Sequence, residues 1–459
     1  MQLDINFVRQ QFDQLQDQPE FVFASNAGGS YVCNQVNDLL EHYNRHTRVQ
    51  PYSHYGSSTE AGEAMDRAKQ DWAAALNIDL AELTIGPSTS MNTYVMSQAI
   101  GEQWQTGDEI VVTNQDHEAN SGVWRRKATE KGVTIRQWEV DLETGLLDTD
   151  SLLPLLSDNT RWVFFSHCSN VVGTTNPVAA TTKLIKKHSS AKVFIDAVAY
   201  APHHVSDMKV LGVDGYAFSL YKVFGPHQGI MYVNRSIHAG LASQAHYFLS
   251  GESSKVFNPA GPQHAQVAAC AGVLDYFDLL YKHHFNHSDV DRPHRLVAIR
   301  NLILAHENTL AAPILDFLDT HSAVRLIGKA HVDDGDRAPT IAFKPLKQSS
   351  QSLTNLLQDA GIGTENGNFY AHRLISDLGI DPDDGVVRLS LVHYNTQEDV
   401  EKILTELDRA LNKGTSDQFM NERVVAKMTN SHVVKLSNSR AITPHREVPV
   451  PRRQDVDER

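Results

Sequence analysis

The sequence is poor in cysteine. Cys33, Cys168 and Cys270 are its only three, and no two of them form a CxxC pair. That pattern excludes a disulfide framework and the usual zinc spacing, so no metal site is expected, and it suits a reducing compartment. No run of about 18 apolar residues occurs, so no transmembrane helix is expected. The stretch Met1 to Gln18 is polar and reads as the start of a helix. It lacks the basic and apolar regions of a secretion signal, so the cytoplasm is the expected location. Positive charge is not in excess either. The formal net charge of −14 argues against nucleic acid or an anionic membrane as the main partner. Finally, no GxGxxG or Walker loop follows any strand-like run, which weighs against an ordinary nucleotide-binding α/β protein.

What the chain does have is length and a globular composition. At 459 residues, with 41% hydrophobic and 21% charged, it exceeds one ordinary core, and two domains are the starting expectation. From about residue 60, helical periodicity alternates with short apolar runs. Strands are predicted at Leu83–Ile85, Glu109–Thr113, Val133–Trp138, Trp162–Ser166, Lys192–Ile195, Gly215–Ser219 and Gly229–Val233. Helices are predicted at Glu60–Leu76, from Ser88 onward, at Ser121–Gly132 and at Thr182–His188. This order predicts an α/β fold with a mainly parallel, doubly wound sheet, whose ligands sit beyond the carboxyl ends of the strands. From about residue 264 a long helical region runs to about Leu318. Strands at Ala323–Ile327, Thr340–Phe343 and Val386–Leu391 follow, with helices near Leu353–Ala360 and Gln397–Leu411. The expected division is an N-terminal segment 1–25 packing with the small domain, a large domain 26–285, a smaller α/β domain 286–412 and a tail 413–459. The tail is rich in proline and charge and is expected to be mobile.

Two residues carry the chemical argument. The apolar strand Val193-Phe194-Ile195 delivers Asp196 to its carboxyl end, where an aspartate alone reads as a turn cap. After the next strand comes Ser219-Leu220-Tyr221-Lys222-Val223-Phe224-Gly225-Pro226, in which Lys222 stands among apolar and aromatic residues. Such a lysine either snorkels to the surface or is held desolvated for covalent chemistry. Paired with a strand-end aspartate, the covalent reading prevails. Pyridoxal phosphate needs a lysine amine for its Schiff base and a carboxylate to keep its pyridine nitrogen protonated. Upstream, Gly86-Pro87-Ser88-Thr89-Ser90-Met91-Asn92 puts hydroxyls and free N–H groups at a helix N-terminus, which suits either a phosphate or ordinary capping.

These residues resemble the class V aminotransferase family, the group of cysteine desulfurases, isopenicillin-N epimerases and selenocysteine lyases. The resemblance covers roughly residues 20 to 412. It implies a fold-type-I pyridoxal phosphate enzyme and a homodimer acting on an amino-acid substrate. By this resemblance Lys222 holds the cofactor and moves protons, Asp196 tunes the ring, and Ser88, Thr89, Ser219 and Tyr221 face the phosphate. Asp116-His117-Glu118-Ala119-Asn120 is similar to the segment whose histidine stacks on the ring, a role implied for His117. Ser166-His167-Cys168-Ser169-Asn170-Val171-Val172-Gly173-Thr174 is similar to the desulfurase segment whose asparagine bonds the cofactor's phenolic oxygen, here Asn170. Arg388-Leu389-Ser390 with Tyr394-Asn395-Thr396 resembles the segment whose arginine clamps the substrate carboxylate. The turn Asn26-Ala27-Gly28 falls where relatives let backbone approach that carboxylate, and Tyr370 and His393 join as substrate-side candidates.

Three positions depart from the family pattern. Ala199 stands where desulfurases have glutamine and relatives often have histidine, so a bond to the cofactor oxygen is missing or supplied elsewhere. Tyr221 replaces histidine, a mild change because a phenol can still donate. Tyr370 replaces the cysteine that takes up sulfur, in Glu365-Asn366-Gly367-Asn368-Phe369-Tyr370-Ala371. A phenol cannot form a persulfide, so desulfuration in the usual manner is not expected. Elimination at Cβ is the preferred expectation. Epimerisation or decarboxylative aldol addition comes next, then transamination. A non-catalytic pyridoxal phosphate sensor is the rival of another class.

Overall fold

Runs such as Ile110-Val111-Val112 and Val163-Phe164-Phe165 show no polar alternation, so a strand built from them needs cover on both faces. A computed structural model of the chain describes residues 1–249, 251–252, 255–285, 290–332 and 335–412, and supplies that cover. The expected tail, 413–459, lies outside the described residues.

The strands in chain order are β1 (Val22–Phe23), β2 (Leu83–Gly86), β3 (Glu109–Thr113), β4 (Thr134–Trp138), β5 (Thr160–Ser166), β6 (Lys192–Asp196) and β7 (Gly215–Ser219). They continue with β8 (Gly229–Val233), β9 (Val324–Ile327), β10 (Thr340–Pro345), β11 (Ile362–Gly363), β12 (Glu365–Gly367) and β13 (Val386–Ser390). Seven form the main sheet in the order β2-β8-β7-β6-β5-β3-β4. From β4 to β7 all neighbours are parallel, whereas β8 runs antiparallel to both β7 and β2. The sheet is mainly parallel, and it is wound on both sides. Val111 packs into one core with Trp72 and Leu274, while Ile110 and Val112 enter the other with Met96 and Trp124.

Register sets what meets at the sheet's working edge. Ser166 pairs with Asp196 across β5 and β6, and Asp196 with Ala217 across β6 and β7. β5 and β6 thus end level, and β7 runs two residues further, to Ser219. A second, antiparallel sheet has the order β12-β13-β10-β9 and packs over Leu310, Ile314, Leu353, Leu357, Ile403 and Leu407. The last two come from a helix over residues 397–411.

The strand and helix predictions fall on observed elements, with shifts of a few residues at their ends. The long helical region is in fact three helices, His264–Ala269, Ala271–His284 and Arg292–Thr320. Sequence patterning missed the helices Asn34–His42 and His372–Asp377 and the parallel pair β1–β11. A two-residue strand has no periodicity to read. No described helix is long and apolar enough to cross a membrane.

Candidate active site

Asp196 ends β6 with its carboxylate buried, and Oδ1 accepts the Val198 N–H at 2.9 Å. Burial raises its pKa from 3.8 to about 7. The Val198 bond opposes the rise, nearby Asp116 adds to it, and Lys222 pulls it back. Lys222 follows β7 on a single 3₁₀ turn, Leu220–Lys222. It too is buried, and its pKa falls from 10.5 to about 8, first through desolvation and then through the Arg388 cation, with Asp196 and Glu365 offsetting part. An amine so depressed is neutral for an appreciable fraction of the time near neutral pH, as a nucleophile must be.

Both residues line one cavity. At one wall, Thr89 Oγ1 and Ser219 Oγ lie 2.7 Å apart, joining the first turn of the helix Thr89–Gly101 to the end of β7. At another stands His117. Its Nδ1 accepts the Ala119 N–H at 3.0 Å, which leaves the proton of the neutral ring on Nε2. Burial, followed by the charges of Lys222 and Arg388, depresses its pKa to about 4, so the ring is neutral. Tyr221 lies parallel to His227, with ring centres 4.6 Å apart and planes 5° apart.

Arg388 approaches from the second sheet, on β13. Its Nη1 donates to the Asn170 carbonyl at 3.0 Å, and Asn170 Nδ2 donates to the Phe369 carbonyl at 2.9 Å. The Phe369 ring covers the guanidinium, its centre 3.7 Å from Cζ. Arg388 Nε is buried without a partner. Phe369 and Tyr370 hold φ at +50° and +60°, the left-handed region, and Tyr370 accepts Glu118 N–H through its carbonyl at 2.8 Å. This turn places the exposed Tyr370 ring 5.2 Å from that of His117.

Lys222, Asp196, His117, Asn170, Thr89, Ser219 and Tyr221 all line the cavity. Arg388 and Tyr370 stand outside that lining, and five further candidates are placed differently. The Ser88 side chain is absent from the lining because its hydroxyl accepts Met91 N–H as the helix cap, and Ser90 lines the wall instead. His393 lies in the aromatic core. It is fully buried against Phe224, with Nε2 2.5 Å from the Tyr276 hydroxyl. The Asn26 side chain is occupied: Nδ2 donates to the Ser390 carbonyl at 2.9 Å and Oδ1 accepts from the Tyr394 hydroxyl. Beside it, Ala27 N–H is held by Ser390 Oγ at 2.8 Å and Gly28 N–H by the Ser25 carbonyl at 3.0 Å. Sequence reasoning missed Ser166 and Cys168 as lining residues, although both lie within the stretch that carries Asn170. It also missed Phe369, for which spacing gives no signal.

The family model for aminotransferase class-V matches residues 22–277 and 299–403. The chain belongs to the class-V aminotransferases. Among curated class-V relatives it is 34% identical to the aminotransferase-like protein FGM3 of Gibberella zeae, over 89% of this chain and 98% of that protein. It is 29% identical to the cysteine desulfurase-like protein ustD of Aspergillus flavus, over 90% and 92% of the two chains. The cysteine desulfurase CsdA of Escherichia coli shares the fold at a TM-score of 0.74, with 22% identity over 89% and 98% of the chains. The apo cysteine desulfurase of Thermococcus onnurineus NA1 does so at 0.78, with 21% identity over 90% and 99%. The fold is therefore that of fold-type-I enzymes, and pyridoxal phosphate is the family's cofactor. The cavity fits it. A buried carboxylate and a depressed amine face one space, and paired hydroxyls at a helix N-terminus offer a phosphate cradle. The orphaned Nε of Arg388 awaits an anion.

Proposed function

We propose that this chain is an enzyme that carries pyridoxal phosphate on Lys222 Nζ and acts on an amino acid by a lyase-type reaction, elimination at Cβ. The observation that carries the reading is the burial of Lys222 and Asp196 in one cavity, each with its pKa displaced toward the neutral form. Thr89, Ser90 and Ser219 would hold the phosphate, Asp196 the ring nitrogen, His117 one face of the ring and Asn170 its phenolic oxygen. Bound there, pyridoxal phosphate supplies a ring that accepts electron density from the substrate's Cα. Arg388 Nε and Nη2 orient the substrate carboxylate, and Lys222 takes and returns the Cα proton. Epimerisation, decarboxylative aldol addition and transamination use the same groups and are the alternatives.

Desulfuration by persulfide is disfavoured by the thiols themselves. All three cysteines are free and buried. Cys168 alone among them lines the cavity, and burial pushes its pKa up to about 12, so it remains a protonated, poor nucleophile. Incubation with cysteine followed by mass spectrometry should find no persulfide on Cys168. Buried free thiols also suit a cytoplasmic location.

A homodimer is the proposed assembly. Tyr52, Tyr55, Tyr247 and Phe248 are large and exposed, and Tyr52 shares a groove with Leu80, Gly261 and Pro262, a surface that a second copy would cover. The division of each chain into a large domain, 26–285, and a smaller one, 286–412, with the segment 1–25 packing on the smaller, is part of the same proposal. The decisive experiment is absorption spectroscopy with added pyridoxal phosphate, beside Lys222→Ala. A band at roughly 420 nm that the variant lacks, and that one amino acid shifts, supports the reading and identifies the substrate class. A wild type with no band refutes it.

A further inference from the structure

Ala199 and Lys222 belong to two cavities at once. One is the site described above. The other is a chamber with room for about one water molecule, lined also by Pro202, His203 and Val392. Val198, like Ala199 and Lys222, lines both spaces. His203 Nδ1 lies 3.0 and 2.9 Å from the two carboxylate oxygens of Glu307, whose side chain is only 1% exposed. A carboxylate only accepts, so Nδ1 carries the proton and Nε2 is the ring's remaining site for exchange. A positive charge arriving on the ring would be offset by Glu307. The other titratable groups near His203 are Lys222 across the chamber and His393, which lies within electrostatic reach of both His203 and His306. The chain neighbour His204 instead feels Arg300.

We propose that His203, positioned by Glu307, exchanges protons with Lys222 across this chamber. The inference rests on the reading of Lys222 as the group that takes the substrate's Cα proton. In the forward step the Lys222 ammonium gives a proton to a bridging water, which passes one to His203 Nε2. A neutral amine and an imidazolium paired with Glu307 result. The reverse step restores both. Only N–H and O–H bonds change, and no electrons are transferred.

One measurement on the full-length protein tests this. In the cofactor-loaded enzyme, deuterium incorporation at the Cα of a bound amino acid is followed by NMR. His203→Gln and Glu307→Gln should each slow it about a hundredfold, as expected for loss of an acid–base group, with the cofactor band and amino-acid affinity at wild-type values. Ala199→Gln, which adds bulk at a residue lining both spaces, should slow it too and stands in if the others fail to fold. Exchange within twofold of wild type in variants that retain the band overturns the relay alone. A wild type without the cofactor band overturns the underlying reading as well.

Discussion

Phe369 and Arg388 are in face-on contact, ring centre to guanidinium carbon 3.7 Å, and the cation they bury has one N–H group without a partner. The aromatic face fixes the plane in which the guanidinium meets an incoming carboxylate. Phe369→Leu should therefore raise KM about tenfold with little change in kcat, the equivalent of one desolvated cation–π contact. Arg388→Lys, which keeps charge but not the fork, should raise it about a hundredfold. Steady-state kinetics on the amino acid found by spectroscopy checks both. A fall in kcat with KM unchanged would assign Phe369 to the chemical step instead.

In the proposed reading Lys222 must be neutral to capture the cofactor, and its depressed pKa sets when it is. The capture rate, followed by stopped-flow absorbance, should rise with pH and level off above about 8. Arg388→Gln removes a cation that disfavours the ammonium, so the midpoint should move upward, toward the value of an ordinary lysine. A midpoint unmoved by that change would mean burial alone depresses the amine.

Asp196 should cost the cofactor-free protein stability. Its folded pKa, about 7, lies above the unfolded 3.8, so the folded state binds more protons between those values. Its contribution is fully favourable below 3.8 and is lost as pH rises through about 7. Asp196→Asn should thus stabilise the empty protein at pH 8 by up to roughly 4 kcal/mol, with a gain that shrinks toward pH 4. Denaturant titrations at several pH values test this. The same variant should bind pyridoxal phosphate without activating it, because an amide cannot keep the ring nitrogen protonated.

The fold and half of the site were legible because strands announce themselves by unbroken apolar runs and deliver the next residue to a known edge. Asp196, Ser219 and Lys222 follow such runs, and the sheet register brings them together. The surroundings of His393 were not legible, for a related reason. Strand period ends at Ser390, so nothing in the sequence says which way a side chain three residues later turns, and it turns into the aromatic core beside Phe224. Ser88 was ambiguous from the start, since a serine before a helix serves a phosphate or a cap by the same hydroxyl. The His203–Glu307 contact joins residues 104 apart in sequence, and only the folded chain reveals it.

The cavity's two sides are built from different materials. Lys222, Asp196 and Ser219 hang from the ends of a rigid sheet. The substrate side is roofed by a turn whose Phe369 and Tyr370 occupy left-handed backbone, at roughly 1 kcal/mol or more each. A short, mildly strained turn can be respelled or grafted without disturbing the sheet behind it. Diversification of chemistry on this scaffold should therefore accumulate in that turn, while the machinery beneath it stays put.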